Sequence, residues 1–283
     1  TGVQTCALPI WEISVSRIEE AVCRMVQQIN YAYPPQIETD MKRMAEEETH
    51  PIARSTLQFL LDNARIAKEE HIPICQDTGM AVIFMKIGQD VHFIGGSLRE
   101  AVDRGVARGY EEGFLRKSVV SDPLFARVNT KNNAPAILYT ELIEGDGVEI
   151  VVGAKGFGSE NMSTITMLKP AQGIEGVKAC VLSAIQKAGP NACPPMVVGV
   201  GIGGTFDYAA VLAKKAVLRE ALHHPDPRYA ALEEELTQEA NALGIGPQGM
   251  GGKTTVFRIN IEQCPTHIAG LPCAVNISCH VTR

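Results

Sequence analysis

The stretch Asn191-Ala-Cys-Pro-Pro-Met-Val-Val-Gly-Val-Gly-Ile-Gly-Gly204 decides the fold. From Met196 to Ile202 it is a short apolar run, which is typical of a buried strand, and residues 205–222 follow with the apolar spacing of an amphipathic helix. The two prolines fix the backbone directly before the strand. The sequence therefore predicts a strand at 196–202, preceded by a loop that carries Cys193.

Outward from this stretch, helical and strand-like patterns alternate irregularly. Helices are predicted at 14–31, 37–70, 97–116, 173–188 and 228–243, and strands at 81–87, 136–141, 148–154, 254–262 and 271–277. The segment Glu144-Gly-Asp-Gly147 predicts a turn that joins strands 136–141 and 148–154. This order favours an α+β fold, with mixed or antiparallel sheets and packed helices in a single large domain spanning 11–283.

The first ten residues, Thr1-Gly-Val-Gln-Thr-Cys-Ala-Leu-Pro-Ile10, stand apart from this pattern. They lack the initiator Met, the basic region and the continuous apolar stretch of a signal peptide. They resemble the translation of a common sequencing-library adapter. We therefore expect residues 1–10 to be an assembly artefact, and Cys6 is set aside from the chemistry.

Composition narrows the class of protein. The 283 residues are 45% hydrophobic, and 26 Lys and Arg against 32 Asp and Glu give a net charge of −6. This acidic balance argues against nucleic acid as the main partner, and no apolar run reaches the roughly 18 residues that cross a bilayer. The eight cysteines are sparse and irregularly spaced. We therefore expect a cytoplasmic protein with reduced thiols, some of them metal ligands.

Two glycine-rich stretches resemble nucleotide loops. Gly199-Val-Gly-Ile-Gly-Gly204 matches the dinucleotide pattern G-x-G-x-x-G, but the next strand of the expected βαβ unit is missing. An NAD-binding oxidoreductase therefore remains only as an alternative from a different class. The stretch 246–254 resembles a P-loop but has Pro247 where the motif needs Gly, so ATP binding is not expected. Both stretches require either an anion or closely packed chain beside them.

Three cysteines fall in predicted loops beside polar residues and turn-forming residues: Cys75, Cys193 and Cys279. The other cysteines considered, Cys23, Cys180, Cys264 and Cys273, are expected to be structural. The sequence has no Cys-x-x-Cys, which argues against a zinc ribbon or a thioredoxin-type site. Thiolates from three separate loops could instead hold an iron–sulfur cluster with one iron left open, which would act as a Lewis acid.

Five motifs occur in the order in which a known enzyme family carries them. They are Ile74-Cys-Gln-Asp-Thr-Gly79, Lys155-Gly-Phe-Gly-Ser-Glu-Asn161, Asn191-Ala-Cys-Pro-Pro-Met-Val-Val-Gly-Val-Gly201, Leu243-Gly-Ile-Gly-Pro-Gln-Gly249 and Asn276-Ile-Ser-Cys-His280. From about residue 14 to its end, the chain resembles the α subunit, or the N-terminal domain of the fused form, of the class I iron–sulfur fumarate hydratases. The family's smaller swivelling β part is absent from the sequence.

The resemblance implies a hydro-lyase of the tricarboxylic acid cycle that reversibly hydrates fumarate to (S)-malate. It implies a [4Fe–4S] cluster bound by Cys75, Cys193 and Cys279, whose fourth iron would bind oxygen atoms of the dicarboxylate. It also implies a β subunit as partner and an α2β2 assembly, with no membrane and no nucleic acid involved.

The same resemblance implies roles for polar residues. Asp77 and His267 are the expected catalytic residues, and His280 is expected to support the cluster from behind. The expected substrate-binding residues are Gln76, Asp77, Arg116, Lys155, Gly158 and Asn161. Phe157 stands where the family often has Gly. Dehydration beside a carboxylate needs a Lewis acid, a base for a weakly acidic C–H and cationic groups for the dicarboxylate, and this set would supply them.

Close relatives of that family leave the substrate open. L-tartrate, which is dehydrated to oxaloacetate, and mesaconate are the alternatives within the family. The loop from Lys155 to Asn161 looks more like that of the fumarate enzymes, so fumarate is the predicted substrate. A subunit without metal remains a further alternative.

Overall fold

The computed structural model describes residues 11–282, which divide into two compact units. We call residues 11–30 and 78–154 the first unit, and residues 31–77 and 155–282 the cysteine unit. The stretch 1–10, predicted to be adapter-derived, lies outside the described residues, and the prediction of one domain over 11–283 stays a prediction.

In the described part of the chain, the helices are α1 (Val15–Tyr31), α2 (Pro35–Glu47), α3 (Pro51–Glu70), α4 (Leu98–Glu112), α5 (Phe157–Glu160), α6 (Gly173–Ala188), α7 (Phe206–Val217) and α8 (Pro227–Ala242). The strands are β1 (Trp11–Ser14), β2 (Met80–Gly88), β3 (Val91–Ile94), β4 (Ile137–Ile143), β5 (Val148–Lys155), β6 (Thr164–Leu168), β7 (Met196–Gly204), β8 (Val256–Thr266) and β9 (Leu271–Ser278). Short 3-10 turns lie at Pro170–Gln172, Gly189–Ala192 and Pro247–Gly249. None of these helices is both long and apolar enough to span a membrane.

The first unit contains a sheet in the order β4-β2-β5, and β1 pairs with β3 in parallel. The predicted turn between β4 and β5 forms, but the two strands it joins do not pair with each other. β2 lies between them and pairs with β4 in parallel. The reason is that β2 is buried along most of its length, so the polar backbone groups on both its edges need partners from neighbouring strands.

The cysteine unit is built on a sheet in the order β6-β9-β7-β8. β7 and β8 are parallel, whereas β9 runs antiparallel to both β6 and β7. Helices α6 and α8 cover an apolar core formed by this sheet. The predicted α+β class with mixed and antiparallel sheets is confirmed.

The glycines of β7 let helix α7 lie directly on the strand. A Cβ at Gly199 would come within 2.1 Å of the Ala213 carbonyl oxygen, and one at Gly201 within 2.0 Å of the Ala209 carbonyl oxygen. Only a residue without a side chain permits this approach. Packed chain thus accounts for the two glycines that suggested a dinucleotide loop.

The predicted helix 37–70 is interrupted, because Glu48 is extended at the end of α2 and Pro51 opens α3. Proline suits the first turn of a helix, where its missing N–H is not needed. Together α2 and α3 bury a second apolar cluster, which includes Ile74, Val197 and Val281. This cluster lies at the end of the sheet where β7 begins and β9 ends.

Candidate functional site

The register of β7 and β9 sets the position of two cysteines. Val197 lies opposite Ser278, so the loop before β7 and the residue after β9 meet at one end of the sheet. The His280 N–H accordingly donates to the Cys193 carbonyl oxygen at 3.1 Å. Cys193 and Cys279, which are far apart in sequence, are therefore neighbours in the cysteine unit.

Cys75 joins them from the turn after α3. Cys75 and Cys279 both pack against the apolar cluster under α2 and α3, and the Cys193 side chain is exposed. Partial burial of the sulfur raises the pKa of the Cys193 thiol, and so do the neighbouring Cys279 and Cys75. The three thiols are therefore near one another, and their role as ligands stays a prediction.

The Cys193 backbone is held in an uncommon conformation. Its φ and ψ of 49° and 64° are left-handed, which costs a residue other than Gly roughly 1 kcal/mol or more. The Cys193 N–H donates to the Pro190 carbonyl oxygen at 3.0 Å, and the Pro194 carbonyl oxygen accepts from Gln248. Bonds on both sides of Cys193 therefore fix the direction of its thiol.

The glycine-rich stretch that resembled a P-loop supports this loop. A Cβ at Gly249 would come within 2.5 Å of the Pro190 side chain, so the two loops are in close contact. Glu48 anchors the other end, since its carboxylate accepts from the backbone N–H groups of His50 and Lys253 at 2.9 and 2.8 Å. These bonds hold the pKa of Glu48 below its ordinary value, although burial alone would raise it. The glycine-rich stretch therefore packs against the Cys193 loop and supports it.

The donor set fits a cluster better than a single ion. Among residues 11–282, no three His, Cys, Asp or Glu side chains are grouped as ligands of one metal ion. In an iron–sulfur cluster, each protein-bound iron takes its own thiolate, so the sulfurs surround the cluster without converging on one point. Cys75, Cys193 and Cys279 form no disulfide. Three neighbouring thiols, one of them exposed, could each serve one iron of a cluster and leave a fourth iron open.

Gln76 and Asp77 directly follow the first cysteine. The Gln76 side chain is exposed, whereas the Asp77 carboxylate accepts from the Phe157 N–H at 3.0 Å. Asp77 thus joins the cysteine turn to the loop that begins at Lys155. This hydrogen bond positions that loop. The structure brings two of the predicted motifs together through this bond.

Lys155 is buried, with only 5% of its surface exposed. Its ammonium donates to Ser159 Oγ at 3.0 Å and to the Gly156 carbonyl oxygen at 3.4 Å, and it pairs with Glu160 Oε2 at 3.1 Å. These three acceptors use its three N–H groups.

The same loop presents other expected residues to solvent. Gly158 and Asn161 are both exposed, and a Cβ at Gly158 would meet only the Asn191 carbonyl oxygen, at 3.8 Å. Because Asn191 is two residues from Cys193, Gly158 lies beside the cysteine loop. The backbone there is open enough for a ligand to approach.

Two predicted residues are not brought to the thiols by the described contacts. His267 is exposed in the turn before β9, and Cys279 follows the other end of that eight-residue strand, about 26 Å away at the rise of a β-strand. Arg116 belongs to the first unit, where it is exposed and its carbonyl oxygen accepts from Thr78 at 2.9 Å. Both remain predictions.

His280 is buried behind the cysteine loop. Its Nδ1 lies 2.8 Å from the Tyr33 hydroxyl, and its backbone N–H binds Cys193 as described above. This position suits the predicted supporting role, which stays a prediction.

Sequence reasoning missed several residues whose side chains support the loops around the cysteines. Glu160, Lys214, Asn276 and Gln248 all make side-chain contacts there. Glu160, Asn276 and Gln248 lie within the quoted motifs, but nothing in a linear pattern shows that their side chains turn inward. Lys214 lies on α7, and no sequence pattern indicated a role for it.

Comparison with known proteins gives consistent results. The profile of the family described as Fumarate hydratase (Fumerase) matches residues 19–283. A Methanocaldococcus jannaschii protein, provisionally named L(+)-tartrate dehydratase subunit alpha, is 39% identical over 275 residues, covering 94% of this chain and 95% of that protein. The L(+)-tartrate dehydratase subunit alpha of Escherichia coli K12 is 32% identical, covering 95% of this chain and 90% of that protein. The protein of the same name from Shigella sonnei shows the same identity and coverage.

Proposed function

The chain belongs to the fumarate hydratase (Fumerase) family, and we propose that it is the alpha subunit of an iron–sulfur hydro-lyase that dehydrates L-tartrate. Family membership supports a hydro-lyase subunit. The names of the relatives, at 39% and 32% identity, favour L-tartrate over fumarate, which the sequence motifs predicted. Fumarate is kept as the second candidate because of the loop from Lys155 to Asn161.

One observation carries the cluster assignment: the thiols of Cys75, Cys193 and Cys279 lie together at one end of the cysteine unit. We propose that these three thiolates hold a [4Fe–4S] cluster. When bound, the cluster would supply a Lewis-acidic iron for the hydroxyl group that leaves as water. The exposure of Cys193 keeps this end of the unit accessible to a substrate.

The chain's own residues would then orient the substrate and move the proton. Asp77 is the proposed proton-transfer group, since it follows the Cys75 turn and its carboxylate is held by the Phe157 N–H. Gln76, Gly158 and Asn161 are exposed and are proposed to bind the dicarboxylate. Arg116 and His267 remain in the proposal on the family resemblance alone.

A second polypeptide is part of the proposal. The relatives are named as alpha subunits, which implies a beta subunit that completes the enzyme. We therefore expect the isolated chain to bind the cluster and to turn over substrate poorly or not at all. The α2β2 assembly and the cytoplasmic location also stay predictions.

Anaerobic reconstitution with iron and sulfide tests the cluster. We expect close to four irons per chain and broad absorption near ~400 nm, both reduced in Cys75→Ser, Cys193→Ser and Cys279→Ser. Cys264→Ser is the matched control, because Cys264 lies on β8 and should leave the iron content unchanged. Colourless wild-type protein, or Ser variants that keep their iron, would refute the assignment.

The substrate is tested on the chain purified together with its beta subunit. We expect oxaloacetate to form from L-tartrate with a kcat/KM at least 10-fold above that for fumarate hydration. The reverse order would favour the fumarate candidate. Equal rates with mesaconate would show that the pocket does not distinguish these dicarboxylates.

A further inference from the structure

An ionic network formed by Lys155, Glu160, Lys214 and Asn276 lies at the end of β9; it is buried at Lys155 and Asn276 and half-buried at Glu160 and Lys214. Glu160 is its centre: one carboxylate oxygen pairs with Lys214, and the other lies 3.1 Å from Lys155 Nζ and 2.9 Å from Asn276 Nδ2. Asn276 also donates to Ser163 Oγ at 3.0 Å. The network therefore ties the loop of Lys155 to the end of β9.

Two contacts place the network beside the cysteine. Asn276 lies on β9, and Cys279 follows three residues later, directly after the end of that strand, so the hydrogen bond to Glu160 holds the carboxylate near the end of β9. The loop of Lys155 also contacts the segments of the other two cysteines, because the Phe157 N–H donates to the Asp77 carboxylate at 3.0 Å and a Cβ at Gly158 would lie 3.8 Å from the Asn191 carbonyl oxygen. Burial lowers the pKa of Lys155, and the Cys279 thiolate opposes that shift. Lys155 therefore sets a positive charge near one predicted cluster ligand.

The charges in the network do not cancel. Two lysines face one carboxylate, so a net positive charge remains in a buried place, where electrostatic interactions are weakly screened. Although burial would favour the neutral acid, Lys155 and Lys214 hold the pKa of Glu160 below its ordinary value. A cluster held by three thiolates is anionic, and a nearby cation stabilises thiolate ligands. The surplus charge is thus of the sign that the bound cluster would need.

The ammonium of Lys155 is not available to a substrate in this arrangement. Its three N–H groups are used by Ser159, Gly156 and Glu160, and the residue is buried. A dicarboxylate could bind it only by breaking one of these contacts. Its expected role as a substrate clamp therefore fits the geometry less well than a role toward Cys279.

We infer that Glu160 is a positioning residue that holds the Lys155 ammonium near the end of β9 that leads to Cys279, and that this cation serves to retain the cluster. The inference rests on the proposed function, because it presumes that Cys279 is a cluster ligand. Without the carboxylate, the two lysines would repel each other with no counter-charge between them, and Lys155 would move away from the thiolate.

The test measures iron retention without substrate. Wild type, Lys155→Met, Glu160→Gln and Glu160→Asp are reconstituted anaerobically, and the rate of iron transfer to a chelator is followed by the loss of absorbance near ~400 nm. We expect Lys155→Met and Glu160→Gln to lose iron at least 5-fold faster than wild type. Glu160→Asp, which keeps the charge, should stay within 2-fold of wild type.

Two further variants separate positioning from general stability. Glu233→Gln is the matched control, since Glu233 is another buried carboxylate, paired with Arg219 at 2.7 Å in the same unit. It should lower Tm and leave the rate of iron loss unchanged. The double variant Lys155→Met with Glu160→Gln should lose iron at the rate of Lys155→Met alone, because Glu160 acts through Lys155.

The possible outcomes are distinct. Wild-type protein that takes up no iron would overturn the proposed function, and this inference with it. Wild type that holds iron while both Glu160→Gln and Lys155→Met lose it at the wild-type rate would overturn the inference alone. Should Glu160→Gln fail to fold, Lys155→Met still decides, because Glu160 keeps Lys214 and Asn276 as partners in that variant.

Discussion

Gln248 donates two hydrogen bonds to the carbonyl oxygen of Pro194, one from its backbone N–H at 2.8 Å and one from its side-chain Nε2 at 2.7 Å. Pro194 directly follows Cys193, whose backbone is left-handed. A carbonyl oxygen has two lone pairs, and Gln248 uses both of them. The glutamine therefore fixes the peptide that sets the direction of the exposed thiol.

Replacing this glutamine should loosen Cys193. We expect Gln248→Leu to lose about 1 kcal/mol of stability, the usual worth of one hydrogen bond, and to take up at most half the iron of wild type after reconstitution. Gln238→Leu, on the exposed face of α8, is the control and should match wild type in iron content. Full iron uptake by Gln248→Leu would show that the backbone bond alone suffices.

Asp77 allows a test that separates chemistry from loop support. Asp77→Asn keeps an oxygen that can accept from the Phe157 N–H, so Tm should change little. If the carboxylate transfers the proton, kcat of the complete enzyme should fall at least 100-fold in this variant. Asp77→Ala should lose both the activity and the hydrogen bond, with a lower Tm. An Asn variant with near wild-type kcat would leave Asp77 a loop-positioning residue only.

Two glycines predict opposite responses to the same change. Gly201→Ala would put a Cβ 2.0 Å from the Ala209 carbonyl oxygen, so α7 must move off β7 and the loss should reach several kcal/mol. Gly158→Ala meets nothing closer than 3.8 Å, and its Tm should stay near that of wild type. Thermal unfolding measures both. A lower activity of stable Gly158→Ala would support the substrate loop, and an unchanged Tm in Gly201→Ala would contradict the packing described for β7.

Glu48 predicts a dependence of stability on pH. Its carboxylate accepts hydrogen bonds from backbone N–H groups, and its folded-state pKa lies below the ordinary value of 4.5. A carboxylate with a lowered folded pKa contributes stability that is fully present above its unfolded pKa and is lost as pH falls through the folded pKa. At pH 7, Glu48→Gln should be less stable than wild type by about 2 kcal/mol.

This difference should shrink below pH 4.5. Urea unfolding of both proteins between pH 7 and the acid limit of folding gives the comparison. A difference that stays constant across this range would mean that the charge of Glu48 does not matter and that only the shape of its side chain does.

Much of this architecture could be predicted from periodicity. The strand after Pro195 and the helix after Thr205 follow directly from their apolar spacing, and the three loop cysteines were identified by their turn-forming neighbours. Strand β6 was not predicted, because apolar and polar side chains alternate only weakly along it and several are exposed. Tertiary packing decides which strands pair in a sheet. A turn between β4 and β5 therefore does not make them neighbours, and β2 lies between them.

The sequence identified the three thiols of the candidate site but not the residues that support them. Cysteines in loops carry a chemical signal that a reader of the sequence can recognise. The burial of Lys155 carries none, because a lysine inside a protein differs from a surface lysine only through the partners that surround it. Those partners, Glu160 and Lys214, come from separate segments and are joined only by the fold.

The hydrogen bond between Asp77 and Phe157 also has a consequence for how the chain tolerates insertions. The first part of the cysteine unit ends at Asp77 and the second begins at Lys155, so this bond holds together the two ends of the segment 78–154. An insertion in the exposed turn at 144–147 would lengthen that segment without separating its ends. The position of Asp77 relative to the loop of Lys155 should therefore stay constant in such a variant.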